Sequence, residues 1–157
     1  MNSKHIHAHM KSAYNYADCS YCVKLKVGAM LVKNNTPIAI GYNGTPSGDD
    51  NTCELPNGNT KADVIHAEDN ALRKLVRSNE SSENSILFVT HSPCKRCAQL
   101  VIDAGVIGVY FSEMYRDDSG IGMLLDKLIP VYMVMDNEIR QARYIGDNIQ
   151  FMRIYDV

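Results

Sequence analysis

The sequence predicts an α/β domain of three layers, a five-stranded mixed sheet with helices on both faces. Three observations carry that reading. In the second half, apolar runs of five or six residues alternate with amphipathic stretches, the order of strands joined by crossover helices. In the first half, two apolar runs flank the turn-rich Asn34-Asn35-Thr36-Pro37, which reads as a hairpin. The 157 residues contain no internal repeat and no linker, and they suffice to bury one core without disulfides.

Taken in order, residues 5–18 suit a helix with Ile6, Met10, Ala13, Tyr14 and Ala17 on one side. The hairpin follows, with strands at Val27–Val32 and Ile38–Tyr42. Residues 43–62 hold Gly, Pro, Asn, Asp and Thr almost continuously, too long for a plain connection and therefore expected to serve the function. A helix over 64–78 carries Ala67, Ala71, Leu72, Leu75 and Val76 on its apolar side. Strand 86–90, helix 94–104, strand 107–112, helix 119–128 and strand 131–135 complete the alternation. The tail from Asp136 mixes charges, aromatics and isoleucines without a clear period, and is left as a last helix or strand. The eight methionines fall mostly in apolar runs and read as core filler.

Composition narrows the function. The net charge is −2, with no arginine-rich arm and no long lysine run. A protein that tracks a polynucleotide backbone carries a basic stripe, so RNA and DNA are disfavoured as partners. No apolar stretch approaches a membrane span, and the polar N-terminus lacks a signal-peptide core. Five cysteines, four of them in CxxC pairs, argue for metal ligation in a reducing compartment, so the chain reads as cytoplasmic.

The chemistry concentrates in His66-Ala67-Glu68 and Pro93-Cys94-Lys95-Arg96-Cys97. A hydrolytic zinc takes three protein ligands and keeps one position for water, whereas a structural zinc is normally closed by four. Cys94 and Cys97, three apart, share one helix face near its first turn, with Pro93 expected as the first helical residue. There the helix dipole favours thiolate, the form that binds metal. His66 opens the other helix and supplies the third ligand. Glu68, two residues on, is poorly spaced to be a fourth ligand but well spaced to exchange protons with a water whose pKa zinc lowers to about 7. The reaction this set fits is hydrolytic removal of an amino group from an amidine-like ring carbon. The plainer alternative is a structural zinc knuckle closed by a fourth side chain.

HAE followed by PCxxC is the known signature of zinc deaminases. Together with Lys26-Val27-Gly28-Ala29, the run Gly41-Tyr42-Asn43-Gly44-Thr45-Pro46-Ser47-Gly48, and Tyr115-Arg116-Asp117, the chain resembles the deoxycytidylate (dCMP) deaminases of phage and bacterial type. The likeness spans about residues 10–117 and implies a cytidine-deaminase-like fold converting dCMP to dUMP. It implies one catalytic Zn2+ per subunit on His66, Cys94 and Cys97, with Glu68 as proton shuttle. For the substrate it implies Asn43 at the sugar hydroxyl, Lys26 at the 5′-phosphate and Tyr115 closing over the base. It further implies a homohexamer activated by dCTP and inhibited by dTTP with Mg2+, with Tyr42, Gly44 and Arg77 near the regulatory site.

Cys19, Cys22 and Cys53, with His91, are candidates for a second, structural zinc, against the plainer reading of small core cysteines. Asp69 departs from the family pattern, which has an aliphatic residue there, and so raises a question about packing beneath its helix. The competing functions are deamination of cytidine, dCTP, guanine or tRNA adenosine, and a zinc-stabilised module without catalysis.

Overall fold

The structure, a computed structural model, describes residues 1–154. Helix α1 (Ser3–Ala17) begins at Asn2, whose side chain accepts the His5 N–H at 3.0 Å and so caps it. Strands β1 (Gly28–Lys33) and β2 (Thr36–Tyr42) form the expected hairpin, its turn residues Asn34 and Asn35 both in the left-handed region that asparagine tolerates. Then come α2 (Ala67–Leu75), β3 (Ile86–His91), α3 (Lys95–Asp103), β4 (Gly108–Glu113), α4 (Ser119–Asp126) and β5 (Val131–Met135). The parallel core β3-β4-β5 is flanked by antiparallel neighbours, giving the mixed sheet that was expected.

The sheet has seven strands rather than five, in the order β2-β1-β3-β4-β5-β6-β7. The two additional strands, β6 (Glu138–Ile145) and β7 (Asn148–Arg153), come from the tail that showed no clear period. Their alternation is blurred in β6, where Glu138 and Arg140 on one face and Arg143 on the other interrupt the pattern, whereas the edge strand β7 sets half-buried Ile149 and Phe151 between exposed neighbours. The Gly146-Asp147 turn, with Gly146 at φ 61, was the available hairpin signal.

Alternate residues of the strands face two separate cores. On one side α1 contributes Ile6 and Met10, which pack with Met30, Val32, Phe88, Tyr110 and Val134. A ladder of rings, His9–Phe88–Tyr110–Tyr132, runs across this face at centroid spacings of 5.1, 4.9 and 4.6 Å. On the other side α2, α3 and α4 bring Ala71, Ala98, Val101, Ile121 and Leu124 against Leu31, Leu87, Val89, Val109, Phe111 and Val131. Helix–sheet–helix layering is therefore as expected, with one helix on one face and three on the other.

Of the helix boundaries that shift, two concern the site. The helix expected over 64–78 starts at Ala67, because Ile65 is held in a bridge with Gly44 and His66 is extended at φ −71, ψ 156. The helix expected over 94–104 starts at Lys95, with Cys94 as its extended N-cap and Pro93 outside it. The sheet places these two helix starts beside the carboxyl ends of β3 and β4, where open α/β sheets commonly bind ligands.

Candidate metal centre and substrate cavity

His66 and Cys94 occupy equivalent positions, each the N-cap of its helix, and neither side chain makes a capping hydrogen bond. Both are turned instead toward a common point. The His66 Nδ1 lies 3.7 Å from the Cys94 Sγ and 3.4 Å from the Cys97 Sγ. Among the described residues these three form the one His/Cys/Asp/Glu group with ligand atoms all within 4.8 Å of one another. One imidazole and two sulfurs around one point suit zinc, and three is the number of protein donors that a hydrolytic zinc site uses.

The ligands hold protons unequally. The Cys94 thiol is pushed down to about 3, first by the Cys97 thiol that donates to it and then by His66. Cys97 is pushed up, because Cys94 accepts its proton and because it is buried. His66 is raised by its hydrogen bond with Cys94. The helix starts were expected to favour thiolate at both cysteines; the contacts favour it at Cys94 and disfavour it at Cys97. A cation bound there would favour thiolate at both.

Glu68, 4% exposed, sits in the first turn of α2 and lines the same cavity as His66 and Cys94. Burial raises the affinity of its carboxyl for a proton, with His66 opposing that effect in part. A carboxyl that binds a proton readily beside a water-activating cation has the chemistry of a proton shuttle. Asp69 faces the other way: Arg73 grips its carboxylate at 2.7 and 2.9 Å, and Arg96 of α3 lies 3.6 Å from it. The departure from an aliphatic residue is thus answered by two guanidinium partners.

The cavity, about 490 Å³, is built from segments distant in sequence. The stretch after α1 supplies Lys24, Leu25 and Val27, the 43–66 loop supplies Asn43, Glu54, Thr60 and Val64, and the strand ends supply His91, Ser92, Glu113, Tyr115 and Arg116. Of the substrate residues expected, Asn43 and Tyr115 are in its wall. The Asn43 amide is already engaged: its Oδ1 accepts the Val27 N–H at 2.8 Å and its Nδ2 donates to the Leu25 carbonyl at 2.7 Å. Tyr115 is fixed by its N–H, which donates to the Ser92 Oγ at 2.8 Å.

Lys26 is exposed and is not among the lining residues, whereas Lys24 and Arg116 are. The Glu54 carboxylate accepts the N–H groups of Val23 and Lys24 at 2.9 and 3.0 Å, which draws that part of the chain to the cavity. Nothing in the lysine spacing reveals this; Arg116, next to Tyr115, was more legible. The wall also holds a hydrogen-bonded chain: the Thr90 hydroxyl meets His91 at 3.0 Å, His91 meets Glu113 at 3.3 Å, and the Tyr14 hydroxyl donates to Glu113 at 2.7 Å.

Tyr42, Gly44 and Arg77 lie apart from the lining residues. Tyr42 faces α2, with the Lys74 ammonium 5.2 Å from its ring, Gly44 pairs with Ile65, and Arg77 is exposed beyond the end of α2. The second zinc site does not form. Cys22 and Cys53 are joined to each other as a disulfide, Cys19 is exposed, and His91 is committed to Thr90 and Glu113. The two sulfurs come close enough to bond directly, which leaves no donor pair for an ion.

Comparison with known proteins follows the same residues. The model of the cytidine and deoxycytidylate deaminase zinc-binding region matches residues 3–113. The chain is 36% identical over 101 residues to ComE operon protein 2 of Bacillus subtilis, covering 62% of this chain and 53% of that protein. It is 35% identical over 127 residues to the deoxycytidylate deaminase of Schizosaccharomyces pombe, covering 74% of this chain and 39% of that one. It thus spans about half the length or less of these two relatives. A crystal structure of dCMP deaminase from the cyanophage S-TIM5, in complex with dCMP and dUMP, superposes with a TM-score of 0.83 at 44% identity, covering 85% of this chain and 99% of that one.

Proposed function

The chain belongs to the cytidine and deoxycytidylate deaminase family, and from that membership we propose that it hydrolyses dCMP to dUMP and ammonia, supplying dUMP for thymidylate synthesis. The observation that carries the reading is the buried Glu68 beside a three-donor His/Cys/Cys cluster, at the floor of a cavity large enough for a mononucleotide. The 44% identity to a dCMP deaminase that holds dCMP and dUMP supports dCMP over other aminated bases.

His66, Cys94 and Cys97 would hold a zinc ion, which when bound supplies Lewis acidity that makes water a nucleophile near neutral pH. Glu68 accepts the proton released as water adds to the ring carbon and passes it to the ring nitrogen, then takes the proton of the new hydroxyl and delivers it to the departing amine. Its raised proton affinity suits it to hold that proton between steps. Tyr115, pinned through Ser92, covers the ring and excludes bulk water. Lys24 and Arg116 in the cavity wall give the 5′-phosphate two cationic partners beside Lys26, the lysine expected there from the resemblance. Asn43 keeps the expected place at the sugar, with one amide hydrogen and one lone pair left after its backbone bonds.

The finer readings rest on the family resemblance. We infer a homohexamer, activated by dCTP and inhibited by dTTP with Mg2+, with Tyr42, Gly44 and Arg77 contributing to the regulatory surface outside the cavity. The metal thiolates need reduced cysteines, which supports work in the cytoplasm, a host's if the source is viral; among the described residues no helix is long and apolar enough to cross a membrane. Loss of ultraviolet absorbance on mixing with dCMP, but not with deoxycytidine, is the expected result. Turnover of the nucleoside and not of the monophosphate would overturn the substrate assignment. Sigmoid kinetics that straighten with dCTP would support regulation, and hyperbolic kinetics unaffected by either triphosphate would remove it.

A further inference from the structure

We infer that Cys19, Cys22 and Cys53 form a reducible latch on the substrate cavity: the Cys22–Cys53 bond holds the 43–65 loop closed against the segment after α1, and the exposed Cys19 is the thiol through which that bond is exchanged. The inference relies on the proposed function only for the identity of the cavity's occupant.

The bond joins two segments that both line the cavity. Cys22 and Lys24 come from one, Glu54, Thr60 and Val64 from the other. The loop contains no helix or strand. Its internal ties are the bridges of Gly44 with Ile65 and Glu54 with Thr60, the Lys61–Asp50 ion pair, and turn bonds such as the Thr45 hydroxyl on the Asp50 carbonyl. Cys22, Cys53 and Val64 form a small apolar cluster separate from both main cores, so its cohesion depends on the cross-link. Beyond the bond, the noncovalent ties between the same segments are the Glu54 carboxylate on the Val23 and Lys24 N–H groups, the Ser20 hydroxyl on the Asn43 carbonyl at 2.7 Å, and the Asn43 bonds to Leu25 and Val27 at the base of the loop. Asn43 stays anchored at the base of the loop, so opening the bond would loosen the wall that carries Lys24 and Glu54 while leaving the metal cluster, which shares no bond with Cys22 or Cys53, intact.

Access to the bond is the reason for assigning Cys19 a part. Cys22 is 2% and Cys53 0% exposed, so an external thiol cannot meet either sulfur without prior opening. Cys19 is free and exposed, three residues before Cys22 in the turn that ends α1, and CxxC is the spacing across which a dithiol closes a ring. The Cys94 and Cys97 thiols belong to the metal cluster and are not available for this exchange. In the exchange, Cys19 loses its proton to solvent and its thiolate attacks the Cys22 Sγ. The Cys22–Cys53 bond breaks, a Cys19–Cys22 bond forms, and Cys53 leaves as a thiolate that takes up a proton. A dithiol reductant then transfers two electrons and two protons to the exposed Cys19–Cys22 bond and is itself oxidised to a disulfide.

The test uses the full-length, zinc-loaded protein and a thioredoxin-type protein dithiol, with bonds read by alkylation in denaturant and peptide mass mapping. The oxidised protein should show Cys22 and Cys53 bridged and the other three cysteines alkylated. Cys19→Ser should slow opening by the dithiol about tenfold. On opening, proteolysis within residues 43–65 should rise and the KM for dCMP should increase roughly tenfold, with kcat less affected and zinc content unchanged. Cys53→Ser should copy the opened state and ignore the dithiol; should that variant not fold, the reduced wild-type protein provides the same comparison. Five alkylated cysteines in protein isolated in air, equal opening rates with and without Cys19, or a loop and KM indifferent to opening would each overturn the latch. Protein that turns over no dCMP would refute the proposed substrate, while mass mapping and proteolysis would still decide the latch.

Discussion

Glu68 is the residue to which the proposed chemistry assigns the proton, and it lines the cavity together with His66 and Cys94. It was legible because two residues from His66 is a distance that suits a proton carrier and not a ligand. Its burial, which raises its proton affinity, was not legible, since it depends on the packing of α2 against the sheet. Glu68→Gln is expected to lower kcat by at least about 10²–10⁴-fold, with zinc content by metal analysis and the circular dichroism spectrum unchanged; near-normal turnover would remove Glu68 from the mechanism. Asn43 shows the opposite limit. A lone Asn-Gly pair is a turn signal, and the structure shows the amide clamping Leu25 and Val27 beside the cavity. Asn43→Ala should raise the KM for dCMP about tenfold or more and also lower the melting temperature, as two backbone groups lose their partners at about 1 kcal/mol each. A change in KM with no loss of stability would show that substrate contact alone explains the residue.

At the scale of elements, the site is set by how closely helices can approach the sheet and one another. Gly120 opens α4 directly over Pro93 and Cys94; a β-carbon there would stand 2.0 Å from the Pro93 carbonyl oxygen. Gly41 in β2 plays the same part beneath α2, where a β-carbon would stand 2.2 Å from the Ala67 carbonyl oxygen. Gly120→Ala should therefore push the Cys94 turn outward, destabilise the fold by about 1–3 kcal/mol, and speed the loss of zinc to a chromogenic chelator. Unchanged zinc release would show that the turn yields without disturbing the ligands. The order of elements from α1 to β5 was readable because each carries its own period, strand or helix. The glycine contacts were not, because they join residues far apart in sequence. Nor were the helix starts, where the extended conformations of His66 and Cys94 turn their side chains toward a shared point rather than toward their own helix termini.

For the molecule as a whole, metal and fold are coupled. Without a cation, Cys94, Cys97 and His66 share protons in a half-buried cluster; with one, their bonds cross-link the starts of α2 and α3. Chelation should lower the melting temperature, and Cys94→Ala should do so with no further effect of chelator; equal melting curves for metal-loaded and stripped wild-type protein would contradict this. The number of layers was legible from alternation alone, but the size of the sheet was not. β6 covers the edge of β5 with Ile139 and Ala142, and Phe151 of β7 reaches back to Phe111 at 5.8 Å. A chain cut after Met135 would expose β5 as a raw edge and is expected to aggregate in gel filtration. The reading of a reducing compartment was likewise made from composition, and the joined Cys22 and Cys53 qualify it, since the sequence separation of 31 gave no hint that the two would meet.

The β6–β7 turn at Gly146-Asp147 lies at the end of the sheet order opposite the β1–β2 hairpin, and none of its residues lines the cavity. It is consequently an insertion port. A short lanthanide-binding peptide or a fluorophore attached there would report tumbling and assembly of the protein from a point outside the cavity wall.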